Sequence, residues 1–150
     1  MKKFFVLICA AGILIGGCGG EEKSSAPKPM QNKIDLSRAK DGTYTIESSL
    51  DENFGKSTLT LTIKDKKFLA ASFTGYDLFG NVKDENYGAL TGKDSADYKK
   101  AQVAVDAIKI YPAQLVETQD LGKVDAISGA TISYGQFVET TRRAVEEASE

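Results

Sequence analysis

Residues 57–63 read Ser57-Thr58-Leu59-Thr60-Leu61-Thr62-Ile63, so that every second residue is apolar. This period of two is typical of a β-strand with one buried face, here the face that carries Leu59, Leu61 and Ile63. A second β-rich run, residues 67–74, follows after Asp65-Lys66 alone. A two-residue connection predicts a tight hairpin, although Lys66 stands where glycine would be expected.

The sequence on either side of this hairpin completes the predicted domain. Upstream, residues 43–48 form another β-rich run after the turn signal Asp41-Gly42. Downstream, residues 75–92 are rich in Gly, Asn, Asp and Tyr and predict a loop. Strands clustered first and helices later predict a single α+β domain over residues 41–150, a small antiparallel sheet packed with helices.

Helices are predicted after the loop. The first begins at Asp94 or Ser95, and Pro112 should end or kink it and start a second short helix through Val116. The last helix is predicted from a capping box, with Ser133 at the N-cap position and Gln136 three residues on. Its buried face is expected to contain Phe137, Val138, Thr141, Val145 and Ala148.

The first residues of the chain predict export. Lys2 and Lys3 precede an apolar run, residues 4–17, which is shorter than the roughly 20 residues of a spanning helix. We therefore expect a signal peptide over residues 1–17. The run ends in Leu-Ile-Gly-Gly-Cys, which resembles a bacterial lipobox, so Cys18 is the expected site of lipidation. The alternative is an ordinary signal peptide cut nearby, with Cys18 a free thiol.

The segment after the signal peptide predicts a tether. Residues 18–40 begin with Cys18 and are then rich in Gly, Glu, Lys, Ser, Pro and Gln, with few large apolar residues. Such a segment would join a lipid anchor at Cys18 to the folded domain. The expected location is therefore the extracytoplasmic face of a bacterial cell membrane.

Composition excludes several kinds of functional site. The chain has no histidine, which rules out Ser-His-Asp catalysis, Cys-His nucleophiles and histidine-ligated haem or zinc. Without residues 1–17 one cysteine remains, too few for a disulfide framework or a thiol-ligated metal cluster. The same removal takes away two lysines and leaves 17 basic against 21 acidic side chains. We therefore expect no nucleic-acid partner.

A loop of small residues precedes the last predicted helix. It reads Asp125-Ala126-Ile127-Ser128-Gly129-Ala130-Thr131-Ile132-Ser133. A helix N-terminus carries unpaired backbone N–H groups and the positive end of the helix dipole, so it favours a phosphate nearby. Small neighbours let a bulky phosphorylated group reach the backbone. Alternatively, Ser-Gly-Ala-Thr is only a turn whose hydroxyls bond the local backbone.

This loop resembles the attachment motif of the FMN-binding domain family. The residues that match the motif in register are Asp125, Ser128, Gly129, Ala130, Thr131 and Ser133. The likeness extends to residues 41–44, 61–65 and 111–112, although the family usually has glycine where Lys66 stands. It implies that FMN is joined through its phosphate to Thr131, with Ser128, Gly129, Ala130, Ile132 and Ser133 around the attachment point.

The resemblance also implies a maturation partner. The threonine hydroxyl is a weak nucleophile, and the chain has no histidine to activate it. A separate flavin transferase that uses FAD and a divalent cation would therefore attach the flavin. Asp125 would either assist recognition or activation in that step or cap the loop.

The flavin ring would need an apolar or aromatic surface. Tyr76, Phe79 and Tyr87 in the predicted loop, and Tyr134 beside the motif, are the candidates for stacking on it.

Together, the export signal and the resemblance favour a membrane-tethered electron-transfer flavoprotein. It would take electrons from a membrane dehydrogenase or another redox partner, with the cofactor supplying the redox chemistry. Similar domains occur in subunits of ion-pumping oxidoreductases and in lipoproteins of extracellular electron transfer. Two alternatives stay open, a flavin-dependent reductase with its own substrate and a non-redox surface lipoprotein that binds a ligand.

Overall fold

The computed structural model describes residues 33–150, so the predicted signal peptide, Cys18 and most of the predicted tether lie outside the described residues. Strands β1 (Gly42–Glu47), β2 (Lys56–Lys64) and β3 (Lys67–Tyr76) come first along the chain. Helices α1 (Ala96–Thr118) and α2 (Thr131–Ser149) follow, with short 3-10 turns at Ala89–Thr91 and Leu121–Lys123. The prediction of an α+β fold is confirmed.

The three strands form one antiparallel sheet in the order β1-β2-β3. As the alternation predicted, Leu59, Leu61 and Ile63 of β2 are buried against the helices. The threonines between them face outward, where the Thr60 and Thr62 hydroxyls pair across the strands with those of β1 at 3.3 and 3.0 Å. Such cross-strand pairs stabilise a sheet by a few tenths of a kcal/mol to ~1 kcal/mol each.

The predicted tight hairpin between β2 and β3 is confirmed. Its two central residues, Asp65 and Lys66, have φ angles of 49° and 61°, the left-handed conformation that a two-residue hairpin requires. Lys66 adopts this conformation without glycine because tertiary contacts hold the turn. Its ammonium donates to the Ala39 carbonyl, and the Asp65 amide donates to the Asp41 carboxylate at 3.0 Å.

The helices cover one face of the sheet. Helix α1 packs on β3, whereas α2 packs on β1 and β2 and touches α1. The predicted buried face of α2 is confirmed for all of its members, namely Phe137, Val138, Thr141, Val145 and Ala148. Phe137 meets the ring of Phe73 edge-on at 5.2 Å and the ring of Tyr111 at 5.7 Å, so one aromatic cluster joins the sheet to both helices.

Of the two predictions about helix α1, the one for its start is confirmed and the one for its end is wrong. Helix α1 starts where predicted, because the Ser95 side chain caps it by accepting from the Tyr98 amide at 3.1 Å. The prediction that Pro112 ends α1 and begins a second helix is wrong. Pro112 is buried inside a helix that continues to Thr118, where Tyr111 and Leu115 on either side of it are fully buried.

The capping box predicted at Ser133 is also wrong. Helix α2 begins at Thr131, and its N-cap residue is Ala130, which has no side-chain oxygen. Ser133 is buried within the first turn, and Gln136 points into the interior. The Gln136 side chain bonds the Gly55 carbonyl and the Ser57 hydroxyl, so it does not reach back to the start of the helix.

Packing begins before Asp41. Ala39 is fully buried, Ile34 and Leu36 lie partly against the same core, and the Lys40 amide donates to the Ala148 carbonyl at 2.7 Å. The end of the predicted tether is thus attached to the C-terminal helix. Among residues 33–150, no helix combines the length and apolar character that crossing a membrane requires.

Candidate functional site

The loop before α2 is the candidate site that the sequence singled out. Gly129 has a φ angle of 88°, in the left-handed region that favours glycine, and it turns the chain into the helix. The Ala130 amide donates to the Ile127 carbonyl at 3.0 Å, which closes the turn. Thr131 is then the first residue of α2, and its side chain is exposed. Because no side chain caps this helix, its first-turn amides are left without that kind of partner.

A buried tyrosine of α1 forms hydrogen bonds with the backbone of this loop. The Tyr111 hydroxyl donates to the Ala130 carbonyl at 3.4 Å and accepts from the Ile127 amide at 3.3 Å. Burial raises the pKa of Tyr111, with the Ile127 hydrogen bond acting in the opposite direction and Tyr134 in the same direction. The loop backbone is therefore fixed on both sides of Gly129 by a single neutral hydroxyl.

A cavity of about 460 Å³ opens beside Thr131. Four parts of the chain line it: the β1–β2 connection, the loop after β3, the first turns of α1 and the motif. The lining residues are Phe54, Lys83, Tyr87, Asp97, Lys100, Ala101, Ala104, Gly129, Ala130, Thr131, Ile132 and Ser133. The volume lies within the roughly 300–1,000 Å³ typical of small-molecule sites.

Lys83 contributes a buried cation to this cavity. The residue is 6% exposed, its ammonium donates to the Phe54 carbonyl, and it lies 5.3 Å from the centre of the Tyr87 ring. Burial lowers the pKa of Lys83, and the nearby Asp51 and Asp77 carboxylates act against that shift. By contrast, Lys100 lies at an exposed position on α1.

Only one of the four aromatic candidates lines the cavity. Tyr87 does, and burial raises its pKa, with Asp77 adding to the shift. Tyr134 packs edge-on against Tyr111 at 5.5 Å, and its hydroxyl donates to the Val124 carbonyl. Tyr76 ends β3 outside the cavity, and the Phe79 side chain is 90% exposed.

Phe79 and Tyr87 share a second, shallower cavity of about 690 Å³. This cavity lies along the loop after β3 and includes the exposed side chains of Leu78, Val82 and Leu90. Tyr87 lines both cavities.

The predicted motif residues divide into two groups. Gly129, Ala130, Thr131, Ile132 and Ser133 line the first cavity. Asp125 and Ser128 are exposed and do not line it; the Asp125 amide donates to the Gln114 side chain at 3.1 Å. Among residues 33–150, no group of three or more acidic, histidine or cysteine side chains is placed to hold a metal ion.

Sequence reasoning missed half of the twelve residues that line the cavity. Phe54, Lys83, Asp97, Lys100, Ala101 and Ala104 come from segments far from the motif in sequence. One signal was available, since Ala101 and Ala104 are small residues one helical turn apart and leave room beside α1. Nothing local marked Lys83, because a single lysine in a polar loop is ordinarily solvated.

Comparison with known proteins yields one family and a similar fold. The model of the family described as FMN-binding domain matches residues 54–146. A crystal structure of a Clostridium perfringens protein is 24% identical with a TM-score of 0.58, covering 73% of this chain and 88% of that one. A solution NMR structure of a Clostridium thermocellum protein is 26% identical with a TM-score of 0.42, covering 74% and 93%. No curated protein matches the sequence.

Proposed function

Because the chain belongs to the FMN-binding domain family, we propose that it is an electron carrier whose FMN is joined through its phosphate to the Thr131 hydroxyl. The observation that carries the proposal is the position of Thr131. Thr131 is the first residue of α2, and it also lines the cavity of about 460 Å³. A phosphate at that hydroxyl lies beside the first-turn amides, and the attached ring has the cavity to occupy.

The residues around Thr131 fit such a group. The first turn of α2 has no side-chain cap, so its amides and the helix dipole are available to phosphate oxygens. Gly129 and Ala130 present no bulky side chain there, and Lys100 adds a solvated positive charge. The aromatic and aliphatic parts of Phe54, Tyr87, Ala101, Ala104 and Ile132 supply an apolar wall for a ring.

The bound cofactor would supply reversible electron transfer, which none of the twenty side chains performs well. The contribution of the protein is placement. Tyr111 fixes the loop that carries Thr131, and the residues that line the cavity would hold the ring. The chain has no histidine that could deprotonate the weakly nucleophilic threonine hydroxyl.

Attachment therefore requires a second protein. A flavin transferase would use FAD and a divalent cation: the bond from Thr131 Oγ1 to phosphorus forms, the pyrophosphate bond of FAD breaks, and AMP leaves. The threonine proton passes to a base of the transferase. The exposed position of Thr131 supports this route, since an exposed hydroxyl is accessible to another protein.

Intact mass of the exported protein tests the attachment. In a cell that contains the transferase, wild-type protein should gain the mass of FMN less one water, and Thr131→Ala should gain nothing. Ser72→Ala is the matched control, because it removes an exposed hydroxyl that lies outside both the motif and the cavity. Unmodified wild-type protein, or modified Thr131→Ala, would overturn the proposal.

The location is a separate part of the proposal. The lipobox-like residues 14–18 support a lipid anchor at Cys18 on the extracytoplasmic face, from which a redox partner such as a membrane dehydrogenase is reached. Cys18→Ser should abolish incorporation of radiolabelled palmitate and release the protein from the membrane fraction. A Cys18→Ser protein that is still acylated and sediments with membranes would contradict the anchor.

A further inference from the structure

Lys83 is a buried cation that has no carboxylate at ion-pair distance in the described part of the chain; Asp51 and Asp77 act on it from farther away. Both ion pairs found among residues 33–150, Lys56–Glu47 and Arg143–Glu139, lie elsewhere. The ammonium makes one hydrogen bond, to the uncharged Phe54 carbonyl, and borders the cavity that also contains Thr131. An ammonium has three N–H donors, so this position offers more donors than the surrounding chain uses.

Such an arrangement is costly for the protein alone. Removing an ammonium group from water carries a penalty of several kcal/mol unless an opposite charge and further hydrogen bonds compensate it. A solvated lysine on the same loop would avoid this penalty. A bound molecule that brings negative charge into the cavity would offset it, and this is the kind of ligand that the position of Lys83 favours.

We propose that Lys83 contacts the flavin ring at the edge that carries its electronegative pyrimidine carbonyls, and that it stabilises the negative charge which the ring takes up on reduction. The proposal rests on the proposed function, since it requires a flavin in the cavity. Lys83 thereby raises the midpoint potential and is a residue that tunes the cofactor. The reaction balances as two electrons from a redox partner and one proton from solvent, which leave one negative charge on the ring.

The surroundings of Lys83 favour the ring over the phosphate as its partner. Its ammonium lies between the backbone of Phe54 and the ring of Tyr87, and Phe54 and Tyr87 also line the cavity. This aromatic environment suits a planar ring. The phosphate, in contrast, has the amides of α2 and the solvated Lys100 beside Thr131.

Two loops carry carboxylates that counteract the lowering of the Lys83 pKa by burial. Asp51, in the β1–β2 connection, and Asp77, directly after β3, both favour the protonated form of Lys83. Each carboxylate is itself held by backbone amides, Asp51 by Asn53 and Phe54 at 2.9 Å. An oriented, buried ammonium interacts with a ring charge more strongly than an exposed lysine does.

The midpoint potential of the flavin-loaded protein tests the proposal. Lys83→Met removes the charge, and Lys83→Gln keeps a hydrogen-bond donor for the Phe54 carbonyl. Both should weaken binding of the reduced ring relative to the oxidised ring at least tenfold, which lowers the potential of a two-electron couple by ~30 mV. Lys99→Met is the matched control, because it removes a solvated lysine of α1 that does not line the cavity. Its shift should be less than half as large.

The remaining outcomes separate this proposal from the proposed function. Variants that fold and carry flavin but keep the wild-type potential overturn the role of Lys83 and leave the carrier function standing. Lys83→Gln that folds but acquires no flavin would place Lys83 at the phosphate or at the transferase contact, and would also overturn the proposal. If the wild-type protein carries no covalent flavin, the proposed attachment is wrong. The role of Lys83 is then tested by measuring the affinities for oxidised and for dithionite-reduced riboflavin, instead of the midpoint potential. Riboflavin lacks the phosphate, so a loss of its affinity cannot come from a phosphate contact. Lys83→Met must then bind reduced riboflavin at least tenfold more weakly than the wild-type protein does.

Discussion

The hydroxyl of Tyr111 lies 3.4 Å from the carbonyl oxygen of Ala130, to which it donates a hydrogen bond. Tyr111 belongs to the middle of α1, whereas Ala130 is the N-cap residue of α2. The same hydroxyl accepts from the Ile127 amide, so it bonds both ends of the turn that contains Gly129. Helix α1 therefore helps to fix the loop from which Thr131 begins α2, although Tyr111 and Ala130 are 19 positions apart in the sequence.

Tyr111→Phe should destabilise the protein while leaving the ring packing intact. The substitution leaves the Ile127 amide without its partner, whereas the Ala130 carbonyl keeps the Tyr134 amide at 2.9 Å. The orphaned amide should cost about 1–2 kcal/mol of unfolding free energy. Urea unfolding measures the loss, and faster hydrogen exchange of the Ile127 amide locates it in the loop. Tyr44→Phe is the control, because its hydroxyl bonds the exposed Lys40 carbonyl and should matter by less than ~0.5 kcal/mol. Equal losses in the two variants would contradict the prediction.

The contribution of the Tyr111 hydroxyl should also depend on pH. Burial, as the largest cause, raises the pKa of Tyr111 in the folded protein. Above pH ~10 the unfolded chain releases this proton while the folded chain still keeps it, so rising pH favours unfolding. The stability that the hydroxyl contributes is therefore fully present below pH ~10 and is lost as pH rises through the folded pKa.

Comparison with Tyr111→Phe isolates this effect, because all other titrating groups are common to both proteins. The difference in unfolding free energy between wild type and variant should be constant from pH ~7 to ~9 and should shrink above pH ~10. A difference that stays constant or grows at high pH would show that the hydroxyl ionises as readily in the fold as in the unfolded chain.

The sheet could be predicted from sequence because its signals are local. The alternation of Leu59, Leu61 and Ile63 with threonine reports one buried face directly, and Ser95 caps α1 with its own side chain. The hairpin was predicted in spite of Lys66, since loop length alone restricts the turn types available to it. In each of these elements, residues close in sequence carry the determining interaction.

The start of α2 could not be predicted in the same way. Ser133 and Gln136 fit a capping box by spacing, but Gln136 bonds Gly55 and Ser57, which are about 80 residues away. These buried long-range bonds outweigh a local exposed cap. Pro112 is a similar case, because packing of Tyr111 and Leu115 on either side keeps α1 helical despite the missing N–H. Thr131 and its small neighbours were recognisable in sequence, whereas the cavity beside them depends on tertiary packing.

Two glycines on either side of Thr131 should respond oppositely to alanine. Gly129 has a φ angle of 88°, so Gly129→Ala should cost about 1–2 kcal/mol of unfolding free energy. The cost is conformational, since an added Cβ would meet Val103 only at 3.4 Å, an ordinary contact distance. Gly135 lies inside α2 with open space around it, so Gly135→Ala should stabilise by about 0.5–1 kcal/mol.

Urea unfolding of both variants tests this pair under identical conditions. The same sign for the two changes would show that the loop before Thr131 does not hold Gly129 in a left-handed conformation. Intact mass after expression with the transferase adds a functional measure. Because Gly129 shapes the turn before Thr131, Gly129→Ala should reduce flavin incorporation, whereas Gly135→Ala should not.

The buried contact between Ser57 and Gln136 should show energetic coupling. The Ser57 hydroxyl donates to Gln136 Oε1 at 2.7 Å, and both residues are buried. Each single alanine variant leaves a buried polar group without its partner, which should cost about 2–3 kcal/mol for Gln136→Ala and about 1–2 kcal/mol for Ser57→Ala. The second substitution removes a group that the first has already orphaned, so the double variant should lose about 1 kcal/mol less than the two single losses together.

A double-mutant cycle measured by urea unfolding gives this coupling energy. The matched control is the cycle of Ser49 and Glu139, which joins the segment after β1 to α2 through a serine hydroxyl, at 2.8 Å, but at an exposed serine. Water competes for that bond, so its coupling should stay below ~0.5 kcal/mol. If the Ser57–Gln136 cycle is additive, the bond does not contribute to holding α2 on the sheet. The position of Thr131 would then depend on the other contacts of α2, among them the Tyr111 bonds and the aromatic cluster.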